Sequence, residues 1–141
     1  MESKNYLEIG CREAIKQNPN DAKAHFNLGK SLYKLTRYDE SEKEFRDAIR
    51  INPNYADAHT FLGFLLNKLK RYDEAVKEYR KVIRINPNDA RAHTNLGILL
   101  KDLNCYKESV KEFKEVIRIN PNDADAYLVL GNLLKYLQHK I

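Results

Sequence analysis

The chain says nearly the same thing four times. Asn18-Pro19-Asn20-Asp21-Ala22 returns as Asn52-Pro53-Asn54-Tyr55-Ala56, Asn86-Pro87-Asn88-Asp89-Ala90 and Asn120-Pro121-Asn122-Asp123-Ala124. The prolines stand at positions 19, 53, 87 and 121, so each step is 34 residues. Gly29, Gly63, Gly97 and Gly131 keep the same beat, and Arg37-Tyr38-Asp39-Glu40 recurs as Arg71-Tyr72-Asp73-Glu74. A fixed period of roughly 20–50 residues marks stacked supersecondary units rather than one globular core.

One period, residues 20–54, reads as two helices. Asn20 suits an N-cap, and Asp21 puts negative charge in the first turn. Ala24, Leu28, Leu32 and Leu35 recur at spacings of four, four and three, which is one face of a helix. Gly29 inside that helix costs about 1 kcal/mol against alanine. Glycine at one phase in every period therefore predicts the close approach of a neighbouring helix. A break falls near Thr36-Arg37. Tyr38, Ser41, Phe45, Ala48 and Ile49 then mark a second helix, which stops as Pro53 approaches because proline disfavours helical backbone in the residue before it. A single hairpin cannot bury its apolar face, whereas stacked hairpins share a core. The predicted fold class is all-α, an α-solenoid of antiparallel helix pairs with about eight helices. The leucines, Tyr38, Tyr72, Tyr106 and the Phe45/Tyr79/Phe113 column are assigned to packing.

Composition agrees. Hydrophobic residues at 43% and charged residues at 32% suit a soluble, surface-rich helical protein. No apolar run approaches the roughly 18 residues that span a bilayer. Met1-Glu2-Ser3-Lys4-Asn5 lacks the apolar core of a secretory signal, so a cytoplasmic location is expected and no membrane partner. The net charge of +5 is mild, with acids and bases interleaved as on a solvated helical surface. Cys11 shares the column of Phe45, Tyr79 and Phe113 and reads as a small buried hydrophobe. Cys105 shares the column of Arg37 and Arg71 near a turn. Neither implies a disulfide or a zinc site.

The sequence carries no catalytic set. His25, His59 and His93 form one column, but they come one per repeat, and packed helices lie about 8–10 Å apart. Zinc needs its donors about 2.0–2.1 Å from one centre. A structural role is therefore assigned to the column, with no metal and no cofactor. There is no Gly-rich phosphate loop, no HExxH and no nucleophile elbow. Glu40, Glu44, Glu74 and Glu78 lie among Lys43, Arg46, Lys77 and Arg80, which reads as intrahelical pairing on helix surfaces.

The pattern resembles the tetratricopeptide repeat family, whose unit carries a large residue, Leu-Gly, an aromatic after the turn, a small residue, an aromatic, a small residue and a proline. One repeat here gives His25, Leu28-Gly29, Tyr38, Ser41, Phe45, Ala48 and Pro53. The next gives His59, Leu62-Gly63, Tyr72, Ala75, Tyr79, Val82 and Pro87. The third gives His93, Leu96-Gly97, Tyr106, Ser109, Phe113, Val116 and Pro121. Histidine stands in place of the usual tryptophan, with Tyr127 in the last copy, and Val82 and Val116 exceed the usual alanine. On this reading residues 1–141 are one array: a second-helix half-repeat at 1–19, full repeats at 20–53, 54–87 and 88–121, and a first-helix half-repeat at 122–141.

The resemblance implies a right-handed superhelix and a non-catalytic scaffold whose concave face holds a segment of a partner protein. In the first full repeat that face would include Lys23, Phe26, Asn27, Lys30, Tyr33 and Lys34. The second offers Asp57, Thr60, Phe61, Phe64, Asn67 and Lys68. The third offers Arg91, Thr94, Asn95, Ile98, Lys101 and Asp102, and the last helix Asp125, Leu128, Asn132, Lys135 and Tyr136. These columns vary between repeats while the core columns do not; a ligand surface explains that, and so does drift on a solvated face. Basic residues beside aromatics suit a partner segment with acidic and apolar side chains. Asn27 and Asn95 can bond its backbone. The family's carboxylate clamp for acidic chaperone tails does not fit, because its positions hold Phe26, Lys30, Phe61, Arg91 and Asn95.

Residues 3–17 align with 37–51, so each terminus is half a hairpin. The first helix would turn Leu7, Cys11, Ala14 and Ile15, and the last Leu130, Leu133, Leu134, Leu137 and Ile141, toward absent mates. This raises an alternative function, head-to-tail self-assembly into a homo-oligomer or filament. A fragment of a longer array, or an end kept soluble by Lys135, Gln138, His139 and Lys140, reads the same way. Nucleic acid is the weakest partner reading, since RNA binding rests on the mild basic charge alone and the tetratricopeptide markers count against it.

Overall fold

The computed structural model describes residues 2–140, with side chains from Tyr6 onward. Every regular element among them is a helix: α1 (Glu2–Gln17), α2 (Ala22–Lys34), α3 (Tyr38–Ile51), α4 (Ala56–Lys68), α5 (Tyr72–Ile85), α6 (Ala90–Asp102), α7 (Tyr106–Ile119) and α8 (Ala124–His139). This is the all-α helical-repeat fold that the period predicts. The helices group into two units, α1 to α4 as far as Arg71 and α5 to α8 from Tyr72 on.

The turn inside each hairpin explains the break near Thr36. Thr36, Lys70 and Asn104 adopt left-handed backbone, with φ of 60°, 62° and 64°. The amide of Thr36 donates to the Tyr33 carbonyl and that of Arg37 to the Leu32 carbonyl, each at 3.0 Å. The same pair of bonds closes α4 and α6. This arrangement satisfies carbonyls that the helix end would leave bare.

The loop between hairpins differs from expectation by one residue. Asn20 is not the cap of α2; Asp21 is, its carboxylate accepting from the Ala24 amide at 3.1 Å. Asp89 and Asp123 cap α6 and α8 in the same way. Asn18 and Asn86 shape the turn before the cap instead, each side-chain oxygen accepting from the amide two residues on. Where Tyr55 replaces the aspartate, α4 has no side-chain cap.

Within the first unit, Cys11 and Ile15 of α1 pack on Leu28 and Leu32 of α2. Phe45 of α3 is fully buried against Gly29 of α2, where a methyl group would come within 2.7 Å of the ring. Gly97 and Phe113 repeat the approach in the second unit at 2.8 Å. Each approach is tied by a hydroxyl: Ser41 Oγ donates to the Gly29 carbonyl and Ser109 Oγ to the Gly97 carbonyl, both at 2.7 Å. The predicted packing reason for the glycine column thus holds at these two positions. At Gly131 nothing lies within 4 Å of the added methyl. The second unit's core is Val110, Phe113, Val116, Ala126 and Leu133, with Leu130 and Leu137 packed against it.

Candidate functional site

In the first unit the expected first-helix faces of α2 and α4 meet in an aromatic cluster. The Phe26 ring lies 5.4 Å from Phe61 and 5.0 Å from Tyr55, and Phe61 lies 5.4 Å from Phe64. Phe26 itself is only 5% exposed, so it supports this face from beneath rather than lining it. Phe61 and Phe64 are half-buried. Lys30 Nζ sits 4.7 Å from the Phe26 ring centre and 5.7 Å from that of Phe61. A cation so placed is attracted to the ring face by about 0.5–1 kcal/mol at an exposed site. The result is an apolar patch with a positive charge fixed on it.

Other expected residues scatter around that patch. Lys23, Lys34, Asn67 and Lys68 are exposed, while Asn27, Tyr33 and Thr60 are half-buried. The Tyr33 ring leans on Tyr38 at 5.7 Å. Thr60 and Thr94 donate their hydroxyls to carbonyls of their own helices, at Ala56 and Ala90, which spends those donors. Lys23 and Asn27 line a separate cleft of about 300 Å³ against Tyr6, Leu7 and Cys11.

In the second unit, Lys101, Asp102, Asn132 and Tyr136 converge on a cleft of about 480 Å³ between α6 and α8. Tyr106 adds its ring 4.6 Å from that of Tyr136, and its hydroxyl donates to Asn104 Oδ1 at 2.8 Å. Arg91, Ile98, Leu128 and Lys135 are exposed, and Thr94 and Asn95 half-buried. Sequence reasoning missed Tyr55, Asn104 and Tyr106. Tyr55 left a signal, since it alone breaks the Asn-Pro-Asn-Asp pattern. Tyr106 was legible only as packing. A larger cleft, about 620 Å³, lies on the second helices α5 and α7 among Arg80, Arg84, Lys111, Glu112 and Glu115. Its charges are interleaved, and no predicted groove residue reaches it.

The expected self-association faces are partly used up. Cys11 and Ile15 are covered by α2, and Leu133, Leu130 and Leu137 by α7. Burial pushes the Cys11 thiol up, which makes it a poor nucleophile. Leu7 at 52% and Leu134 at 44% remain exposed, and Ile141 lies outside the described residues.

The three histidines of the column share one backbone contact. The Nε2 atoms of His25, His59 and His93 lie 2.9, 2.8 and 2.8 Å from the carbonyls of Pro19, Pro53 and Pro87. Each ring thereby ties its helix to the preceding loop. Nδ1 of His25 meets Glu44 at 2.7 Å, and Nδ1 of His93 meets Glu112 at 2.8 Å. Glu44 is therefore not a surface partner of its own helix as expected; it is buried under the hairpin. Surface pairing does hold for Arg46 with Glu42 and for Lys43 with Asp47.

Compared with known proteins, residues 65–104 and 99–137 match a family model described as TPR repeat, and residues 22–55 match one described as tetratricopeptide repeat. No curated protein sequence matches the chain. Among solved structures it is similar to MamA 41-end from Desulfovibrio magneticus RS-1, at 22% identity and TM-score 0.83, covering 98% of this chain and 78% of that one. It is similar to YrrB, described as a TPR protein with an unusual peptide-binding site, at 23% identity and TM-score 0.81 over 97% and 71% of the two chains. It is also similar to the first TPR of Spaghetti (RPAP3) bound to an HSP90 peptide, at 20% and 0.75 over 83% and 93%. Identities this low speak for the fold. The family models, one of which spans more than half of the sequence by itself, place the chain in the tetratricopeptide repeat family.

Proposed function

We propose that the chain is a non-catalytic scaffold that holds a segment of a partner protein against the first-helix faces of its repeats. The convergence of Lys101, Asn132 and Tyr136 on the cleft of about 480 Å³ carries this reading. A concave site of that size, with Lys101, Asp102, Asn104 and Asn132 beside two tyrosines, Val129 and Leu133, suits one or two side chains of a bound segment. The Lys30-capped aromatic patch offers similar chemistry, a cation beside the half-buried Phe61 ring. Both suit a segment with acidic and apolar side chains. The peptide SRMEEVD, bound by the Spaghetti repeat, mixes those two kinds. Affinity for a display-selected peptide, read by fluorescence anisotropy, tests the reading. Asn27→Ala combined with Asn95→Ala should weaken binding with helicity unchanged, and unchanged affinity overturns the assignment of those two residues. Lys101→Glu should weaken an acidic peptide more than a neutral one.

A second reading, self-association, has its own observation. α1 exposes Tyr6, Leu7 and Ile9, and α8 exposes Tyr127, Leu128 and Leu134. Contact between these faces of successive copies would be head-to-tail, which gives rings or open filaments. The measurement is mass by light scattering across a wide concentration range. Leu128→Glu with Leu134→Glu is the informative variant, because Leu133 is buried and its substitution would damage the core. A mass that stays monomeric at every concentration removes this reading.

A further inference from the structure

Three metal-ligating side chains come together away from the first-helix faces. His25 projects from α2, and Glu44 and Asp47 from neighbouring turns of α3. Their donor atoms all lie within 4.8 Å of one another. His25 Nδ1 stands 2.7 Å from Glu44 Oε2 and 4.0 Å from Asp47 Oδ2. The other ring nitrogen is already committed. Nε2 lies 2.9 Å from the Pro19 carbonyl, which can only accept, so Nε2 carries a hydrogen. In the neutral ring, Nδ1 then turns a lone pair toward a carboxylate oxygen. That contact is attractive only when a cation is shared across it, either a proton or a metal ion. An imidazole that gives its far N–H to a backbone carbonyl is also the outer-shell arrangement of metal-binding histidines.

We propose that His25 Nδ1, Glu44 and Asp47 bind a divalent transition-metal ion of the zinc class, with water completing the coordination. Tetrahedral donors about 2.0–2.1 Å from zinc lie about 3.3 Å from each other. Two of the separations, 2.7 and 4.0 Å, bracket that value, and with all three donors within 4.8 Å the carboxylates would close on the ion by rotating. One imidazole with two carboxylates suits the ions that accept nitrogen and oxygen ligands. Two cations already attend Asp47: Lys43 Nζ at 3.1 Å and Arg50 Nε at 3.9 Å. Lys43 is 72% exposed at its side chain and can swing into water when a metal takes its place.

The other repeats supply an internal contrast. Where the first has Glu44 and Asp47, the second has Glu78 and Lys81. The Lys81 ammonium stands 3.0 Å from Glu78 Oε2, a fixed cation in place of a third ligand. The third repeat has Glu112 and Glu115, with Arg118 on Glu115 as Lys43 and Arg50 are on Asp47. Among the described residues, the grouping of three close donors is that of the first repeat.

The test uses the full chain with cobalt(II) or zinc(II) alone, followed by calorimetry and, for cobalt, visible absorption. The wild type should take up one equivalent in the micromolar range. Asp47→Asn should weaken binding at least about tenfold, the low end of what a lost supporting group costs a metal site. Asp47→Lys, which copies the second repeat, should abolish it. Circular dichroism of both variants should match the wild type, because the bonds from His25 to Pro19 and Glu44 remain. Absence of stoichiometric uptake by the wild type overturns the proposal. So does equal affinity in Asp47→Lys, which would put the ion elsewhere, for example at the exposed His139.

Discussion

Alanine at the glycines of the repeat separates two effects that a single substitution would confound. Gly97 and Gly131 occupy the same phase of α6 and α8 in one unit. Alanine in a helix is favoured over glycine by about 1 kcal/mol, because the unfolded chain loses less freedom. At Gly131 the added methyl meets nothing within 4 Å, so Gly131→Ala should stabilise by about that 1 kcal/mol. At Gly97 the methyl would stand 2.8, 3.1 and 3.2 Å from three ring carbons of Phe113. That ring is 2% exposed and packed among Val110, Val116 and Leu133, so it has little room to retreat. Overpacking of this kind costs about 1–3 kcal/mol. Offset by the helical preference, Gly97→Ala should be neutral to destabilising by about 2 kcal/mol. The difference between the two variants cancels the propensity and leaves the steric cost alone. Urea unfolding followed by circular dichroism reads it, and Gly29→Ala, which meets Phe45 at 2.7 Å, should behave like Gly97→Ala. Gly97→Ala as stable as Gly131→Ala would refute the claim that helix approach requires glycine here.

Thr36 holds left-handed backbone, φ 60°, with a β-branched side chain that resists it. Thr36→Asn, the residue that nature places at position 104, should raise stability by about 1 kcal/mol, and an unchanged urea midpoint would discount the strain. The Glu42 carboxyl is pushed up by burial, but hydrogen bonds and charge from Arg71 and Arg46 outweigh this and hold it below the usual carboxylate range. Its stabilising contribution is then fully present above the ordinary glutamate range, about pH 4.3, and is lost as pH falls through the lowered folded value. Glu42→Gln should be less stable than wild type at neutral pH and lose less on acidification; parallel stability–pH curves for the two proteins would contradict that sign.

What the sequence made legible depends on how far apart the cooperating residues lie. The helices, the breaks within each hairpin and the proline stops rest on neighbours a few positions apart, and the structure has them where the period put them. The cap of α2 slipped by one residue because Asn20 and Asp21 are both good capping types, and only geometry chooses. Glu44 looked like any surface glutamate on its own helix. Its burial is set by His25, nineteen positions earlier on the facing helix, and no local pattern reports that pairing. Phe26 looked like a groove residue because its column is one, yet Tyr55 and Phe61 cover its ring. The terminal leucines looked unpartnered as a class. The structure divides them, since a helix needs only part of its apolar stripe to pack on one neighbour: Leu133 is covered by α7 and Leu134 is not.

The departures from the repeat are therefore more informative than the repeat. Identical positions answer to the common demand of stacking hairpins, as Gly29 and Gly97 do with the rings they face. Tyr55 gives up the aspartate cap that α2, α6 and α8 keep, and gains ring contact beneath Lys30. An N-cap is worth about 1 kcal/mol, and one aromatic pair about 0.5–1.5 kcal/mol beyond its buried area, so the exchange is close to even for folding. Tyr55 therefore enlarges the aromatic cluster around Phe26 at little net change in stability. The same logic singles out Asp47, which stands where the next repeat has Lys81. That lysine stands 3.0 Å from Glu78, whereas in the first repeat the cations Lys43 and Arg50 stand on Asp47 and the His25–Glu44 pair lies beside them.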